Sequence, residues 1–217
     1  MDFDNTVKIV AIGNGTVGKT SLAQRFCNGS FTSNYKKTIA VDFLEKVLYF
    51  EDHEQELTFN VYDTAGQEEY DSLTSTYYRG AQGALVVFAT DNRSSFDNVE
   101  SWVEKLMAHC DRIPIALVQN KIDLVDSSVV TDEEAQQKAQ SLGVPLFRTS
   151  AKINANVTDV FQYLGEQFID QKGETVDETV EELVNKNDST SVNQLISLTH
   201  EQSTPSKKFF GFSCSLL

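Results

Sequence analysis

Apolar runs alternate with amphipathic stretches over the first three quarters of this chain. TVKIVAIG, residues 6–13, is almost continuously apolar, as in a strand covered on both faces. A helical pattern follows at about 18–27. VDFLEKVLYFED and QELTFNVYD alternate more strongly and predict a hairpin with one wetter face. GALVVFAT (83–90), IPIALVQN (113–120) and VPLFRTS (144–150) are three further apolar strands separated by helical patterns. In NVTDVFQYLGEQFI, Val157, Phe161, Leu164 and Phe168 fall on one helical face. Strand alternating with helix predicts an α/β fold with a mostly parallel sheet.

After residue 171 the composition shifts to Ser, Thr, Glu, Asp and Asn, without an aromatic residue until Phe209. Such a segment cannot bury enough apolar surface to order itself, so a largely disordered tail over 171–217 is expected behind a domain spanning 1–170. The apolar spacing at Val176, Val180, Leu183 and Val184 admits a short helix or a frayed continuation of the preceding one.

The 217 residues carry a formal charge of −14, which argues against nucleic acid or a bare anionic lipid surface as partner. No apolar run reaches the length of a membrane span, and the acidic opening MDFDNTVKIV lacks the basic region of a secretory signal. Cys27, Cys110 and Cys214 are odd in number and far apart, which predicts a reducing compartment. His53, His109 and His200 show no zinc spacing.

The first strand runs directly into GNGTVGKT, Gly13–Thr20, which fits G-x-x-x-x-G-K-[ST]. In such a loop Gly15, Thr16, Val17 and Gly18 turn backbone N–H groups toward phosphate. Lys19 reaches the outer phosphates, Thr20 offers a hydroxyl to Mg²⁺, and Ser21 opens the helix behind them. Strand before and helix after are the context this motif needs. DTAGQE (63–68) ends the third strand; there Asp63 serves Mg²⁺ and Gln67 orients an attacking water, where a lone acidic turn would do neither. In NKID, Asn120, Lys121 and Asp123 follow the fifth strand, and a carboxylate there accepts from guanine's N1 and exocyclic amine. Adenine lacks that donor pair, so an ATPase is disfavoured. TSAK (149–152) supplies a second loop at the same sheet edge, where ligands bind in such folds.

These motifs resemble the Ras superfamily of small GTPases, and KTIAVDF, DTAGQEEY and YYRGAQ resemble its Rab branch. VDFLEK, LVQNKIDL and a single cysteine four residues from the end are similar to the Rab subgroup associated with primary cilia and Hedgehog signalling. The resemblance covers about residues 6–170 and implies a six-stranded, mostly parallel sheet with helices on both faces. By it, Thr38 is the switch threonine on Mg²⁺, Phe31 lies against guanine, and Tyr35 closes over the phosphates. Gly66 donates to the terminal phosphate, and Ser150, Ala151 and Lys152 line the base. Phe43, Tyr62 and Tyr77 are the aromatic set that effectors read, beside Ala40. Rabs usually carry glycine where this chain has Ala40, tryptophan where it has Tyr62, and two terminal cysteines where it has Cys214 alone.

The activity implied is a GTP/GDP cycle, with an exchange factor, a GTPase-activating protein and effectors as partners, and a monomeric chain. An arginine from the activating protein is expected to raise slow intrinsic hydrolysis by roughly 10³ to 10⁵; Arg79 and Arg93 are expected in surface pairs instead. Ordering of switch segments at about 31–42 and 64–77 on the third phosphate would expose the effector surface. The contrasting reading is a scaffold that binds GTP with little turnover; the presence of both Thr38 and Gln67 favours cycling.

On such a body the ending FFGFSCSLL becomes interpretable, because CSLL is a geranylgeranylation signal on Cys214 with a loose fit at Ser215. One lipid chain anchors weakly, so Lys207, Lys208 and the aromatic side chains of Phe209, Phe210 and Phe212 are expected to assist it. The aromatic cluster packing onto the body, or merely spacing the cysteine, is the alternative. The expected location is the cytoplasmic face of a membrane, with a cytosolic pool on a soluble prenyl-binding carrier and the tail as tether.

Overall fold

A computed structural model describes residues 5–33, 38, 41–64, 77–110 and 112–185. Two units are distinguished, Met1–Ile169 and Asp170–Leu217. In the first, β1 (Thr6–Ile12) leads to α1 (Lys19–Asn28), then β2 (Val41–Phe50) and β3 (Gln55–Thr64). β4 (Gly83–Ala89), α2 (Arg93–Asp97), α3 (Val99–Met107) and β5 (Ile115–Asn120) follow, then α4 (Asp132–Leu142), β6 (Leu146–Arg148) and α5, which begins at Val157.

The six strands lie in the order β2-β3-β1-β4-β5-β6. All neighbours are parallel except β2 with β3, which pair antiparallel with Phe43 opposite Tyr62 and Glu45 opposite Asn60. The predicted wetter hairpin face is real: Phe43, Glu45, Val47 and Tyr49 are exposed along β2. β1 has β3 on one side and β4 on the other, so the chain reverses its direction of travel across the sheet there, and loops leaving the carboxyl ends open a crevice.

Side-chain alternation divides the core. Ile9 and Ala11 of β1 join Leu57, Phe59 and Val61 of β3 under Leu22 and Phe26 of α1 and Val157, Phe161, Leu164 and Phe168 of α5. Val10 and Ile12 face the other way, with Val86 and Phe88 of β4, against Phe96, Val99, Trp102, Leu106, Ala135 and Ala139 of α2, α3 and α4. Burial on both faces is why β1, β4 and β5 read as continuous apolar runs. Phe26 stacks on Phe161 with centroids 3.7 Å apart, which locks α1 to α5 over the sheet.

α5 runs Val157–Asn185. Residues 171–185, expected within a disordered tail, are therefore helical, and of the two readings open for that stretch the continuation of the last helix is the one adopted. The rest of the expected tail, with Lys207, Lys208, the three phenylalanines and Cys214, lies outside the described residues. No helix among the described residues is long and apolar enough to cross a membrane.

Candidate nucleotide and magnesium site

Four loops converge on the crevice, from the carboxyl ends of β1, β3, β5 and β6. The first bends at Gly13, whose φ is 136°; a Cβ there would stand 2.1 Å from the Val87 carbonyl oxygen of β4, so only glycine fits. Thr16 takes a left-handed φ of 63° and Gly18 one of 95°, folding the backbone tightly ahead of α1. Gly18 is the N-cap of α1, so the positive end of that helix faces the crevice. Gly15 lies in the same turn, Val17 is buried beneath it, and Ser21 belongs to the first turn of α1.

Lys19 is 5% exposed. Its Nζ donates to the carbonyls of Gly13 at 2.8 Å and Asn14 at 2.9 Å, the ring closure that curls the loop around its end. Burial drags its pKa down to about 8, with the Asp63 charge acting the other way. The loop is also held from the far side, because Trp102 Nε1 donates to Asn14 Oδ1 at 2.6 Å.

Asp63, Thr20 and Thr38 meet at the end of β3. Thr20 Oγ1 donates to Asp63 Oδ2 at 2.5 Å and lies 2.9 Å from Thr38 Oγ1, and Thr38 is 3.4 Å from the same carboxylate oxygen. Asp63 is fully buried, and its Oδ1 has no hydrogen-bond partner. Burial raises its pKa, opposed by the Thr20 hydrogen bond and the Lys19 charge. An orphaned carboxylate oxygen beside two hydroxyls is a hard oxygen donor set, and it fits Mg²⁺, which takes one or two carboxylates together with phosphate oxygens. No group of three or more His, Cys, Asp or Glu suited to a metal occurs among the described residues.

On the other side of the crevice, Asn120 is almost fully buried and its amide is spent on protein: Nδ2 donates to the Val17 carbonyl at 2.9 Å, while Oδ1 accepts from Thr149 Oγ1 at 3.3 Å and Ala151 N at 3.4 Å. It ties the phosphate loop to the two loops after β5 and β6. Lys121, at φ 63°, pairs with Asp91 at 3.1 Å, which lies just after β4. Asp123 Oδ1 accepts from Ser150 Oγ at 2.5 Å, and Lys152 Nζ stands 3.8 Å from Oδ2. A carboxylate fixed by one neighbour keeps acceptor capacity for a paired donor such as guanine's edge.

Phe31 packs at the margin of the core beyond α1. Phe43 meets Tyr62 edge-on at 5.3 Å and Tyr62 lies 6.5 Å from Tyr77, so the expected aromatic set is contiguous; Phe43 is 51% exposed. Arg93 is in surface pairs with Asp97 at 3.0 Å and Glu134 at 2.6 Å, as anticipated. Tyr35, Ala40, Gly66, Gln67 and Cys214 lie outside the described residues. Asn14, Asp91, Thr149 and Trp102 were missed by sequence reasoning. Asp91 bonds Lys121 from 30 positions away, Thr149 bonds Asn120 from 29, and Trp102 reaches the phosphate loop at Asn14 from 88, separations that no local pattern records.

A family model described as the Ras family matches residues 8–170. Among curated relatives, rat "GTP-binding protein Rab-3D" is 38% identical over 177 residues, covering 81% of this chain and 80% of its own. The Caenorhabditis elegans "Ras-related protein Rab-3" matches at 38% and the human "Ras-related protein Rab-3A" at 37% over the same shares. With this fold and these matches, the chain belongs to the Ras family of small GTPases, in its Rab branch, and hydrolyses GTP.

Proposed function

We propose that this Rab-type GTPase of vesicle traffic binds guanine nucleotide across the four converging loops and uses Mg²⁺ there. The observation that carries this reading is the convergence itself: Lys19, Thr20 and Asp63 share one end of the crevice, Asp123 and Ser150 the other, and Asn120 joins them. The backbone of Gly15–Gly18 and the α1 N-terminus receive the phosphate chain. Lys19 contacts the outer phosphates, whose charge repays its burial. Thr20, Thr38 and Asp63 hold Mg²⁺, which supplies charge neutralisation on the phosphate oxygens.

In hydrolysis, water attacks the terminal phosphorus in line as the bond to the GDP oxygen breaks. Gln67 orients that water, and Gly66 and Thr38 sense the terminal phosphate. Lys19 stabilises charge on the leaving oxygens, and an activating protein adds the missing cation. Asp123, with Ser150, Ala151, Lys152 and Phe31, holds guanine, and Tyr35 closes over the phosphates. Ordering of the switches presents Phe43, Tyr62 and Tyr77, beside Ala40, to effectors. Turnover distinguishes this from a passive GTP-binding scaffold, and the Asp63–Thr20–Thr38 cluster supports turnover.

Geranylgeranylated Cys214 would hold the chain on the cytoplasmic face of a membrane, exchanging with a carrier-bound pool. VDFLEK and LVQNKIDL favour a ciliary membrane as the one served. The base assignment is tested with Asp123→Asn: it is expected to move preference from GTP to xanthosine triphosphate, whose C2 carbonyl oxygen, in place of guanine's amine, suits an amide donor. Unchanged preference in a competition assay would remove Asp123 from the base site.

A further inference from the structure

Arg25 stands in the last turn of α1. Its Nε donates to the Ala151 carbonyl at 2.8 Å and its Nη2 to the Lys152 carbonyl at 3.1 Å, across more than 120 residues of sequence. Its Nη1 donates to Gly29 O at 2.7 Å, the C-cap of its own helix, and Cζ lies 6.0 Å from the Phe31 ring centroid. One planar fork thus holds three carbonyls on two loops and supports an aromatic ring from below. Ser150, the residue before Ala151, is the one whose hydroxyl orients Asp123.

We propose that Arg25 is a positioning residue for guanine: it sets the 150–152 loop and Phe31 against α1, and so governs nucleotide retention and the selection of the base. The proposal rests on Asp123 and Ser150 forming the base site. A lysine cannot reproduce the fork, since its ammonium reaches one carbonyl at a time. Arg25 bonds no phosphate-loop atom directly; the 150–152 loop meets that loop through Asn120, which accepts from Ala151 N at 3.4 Å and donates to Val17 O, so the larger effect falls on the base.

The test uses the full chain loaded with GDP or inosine diphosphate, which lacks the exocyclic amine, and measures release of each into excess GTP. Arg25→Met keeps the apolar stem and removes every donor. It is expected to speed GDP release by about tenfold and to cut the difference between the two nucleotides by about threefold, because guanine's amine contact loosens. Arg25→Lys is expected to fall between, and it carries the test if the methionine variant does not fold. Single-turnover hydrolysis of bound GTP is expected to stay at the parent rate. Equal acceleration of both nucleotides, or none, would overturn the positioning role. Asp123→Asn separates the two readings. If it fails to shift preference to xanthosine nucleotides, the base site itself is misplaced. If it shifts preference while Arg25→Met leaves the guanine–inosine difference intact, only the role of Arg25 falls.

Discussion

Thr20 donates a 2.5 Å hydrogen bond to one oxygen of Asp63, 43 residues away, while the other oxygen of that buried carboxylate has no partner. A buried, half-satisfied carboxylate is costly unless a cation completes it. Thr20→Ala is therefore expected to weaken Mg²⁺ retention and to raise GDP release in magnesium buffer by about tenfold or more. Adding a chelator should then accelerate the variant far less than the parent. A chelator response equal to the parent's would take Thr20 out of the metal site.

Lys19, at about 8, sits below the ordinary lysine value of 10.5 because it is buried. A lowered lysine means the unfolded chain binds more protons between those values, so this group destabilises the nucleotide-free fold fully below about pH 8, and its penalty fades as pH rises toward 10.5. Bound phosphate opposes the shift. Calorimetric titration of nucleotide-stripped protein with GDP at about pH 8.5, in buffers of different ionisation enthalpy, should show proton uptake of up to about one per nucleotide. Lys19→Met should lose that uptake, and at neutral pH parent and variant should not differ in it. Equal uptake by the variant at the higher pH would assign the proton elsewhere.

Gly13 and Gly29 both have positive φ, 136° and 65°, but only Gly13 would drive a Cβ into backbone, 2.1 Å from Val87 O. Gly13→Ala is expected to cost about 3 kcal/mol or more in chemical denaturation, and Gly29→Ala, in open space, about 1 kcal/mol. Comparable losses would mean that the conformation rather than the clash with β4 decides.

If Cys214 carries the proposed geranylgeranyl chain, Cys214→Ser is expected to turn an amino-terminally tagged chain from membrane-bound to diffuse in cells, since the apolar burial of that chain would be lost. An equally membrane-bound mutant would place the anchor elsewhere in the protein.

Much of this molecule is written locally. The phosphate loop is legible because glycines, Lys19 and Thr20 fall within eight residues between a strand and a helix. The strands are legible because burial on both faces demands unbroken apolar runs. The helical continuation through 171–185 was only admitted as one option, because weak apolar spacing leaves propensity and solvation closely balanced. What the sequence by itself determined is thus the α/β alternation, the loops carrying the chemistry and the identity of their reactive groups. What only the tertiary structure decided is how those loops are held: Asn120 spanning to Val17, Lys121 to Asp91, Trp102 to Asn14 and Arg25 to Ala151. Those partners are set by the strand order β2-β3-β1-β4-β5-β6, which brings distant carboxyl ends to one edge. A hydrogen bond depends on separation in space, and chain order leaves that separation open until the sheet is assembled.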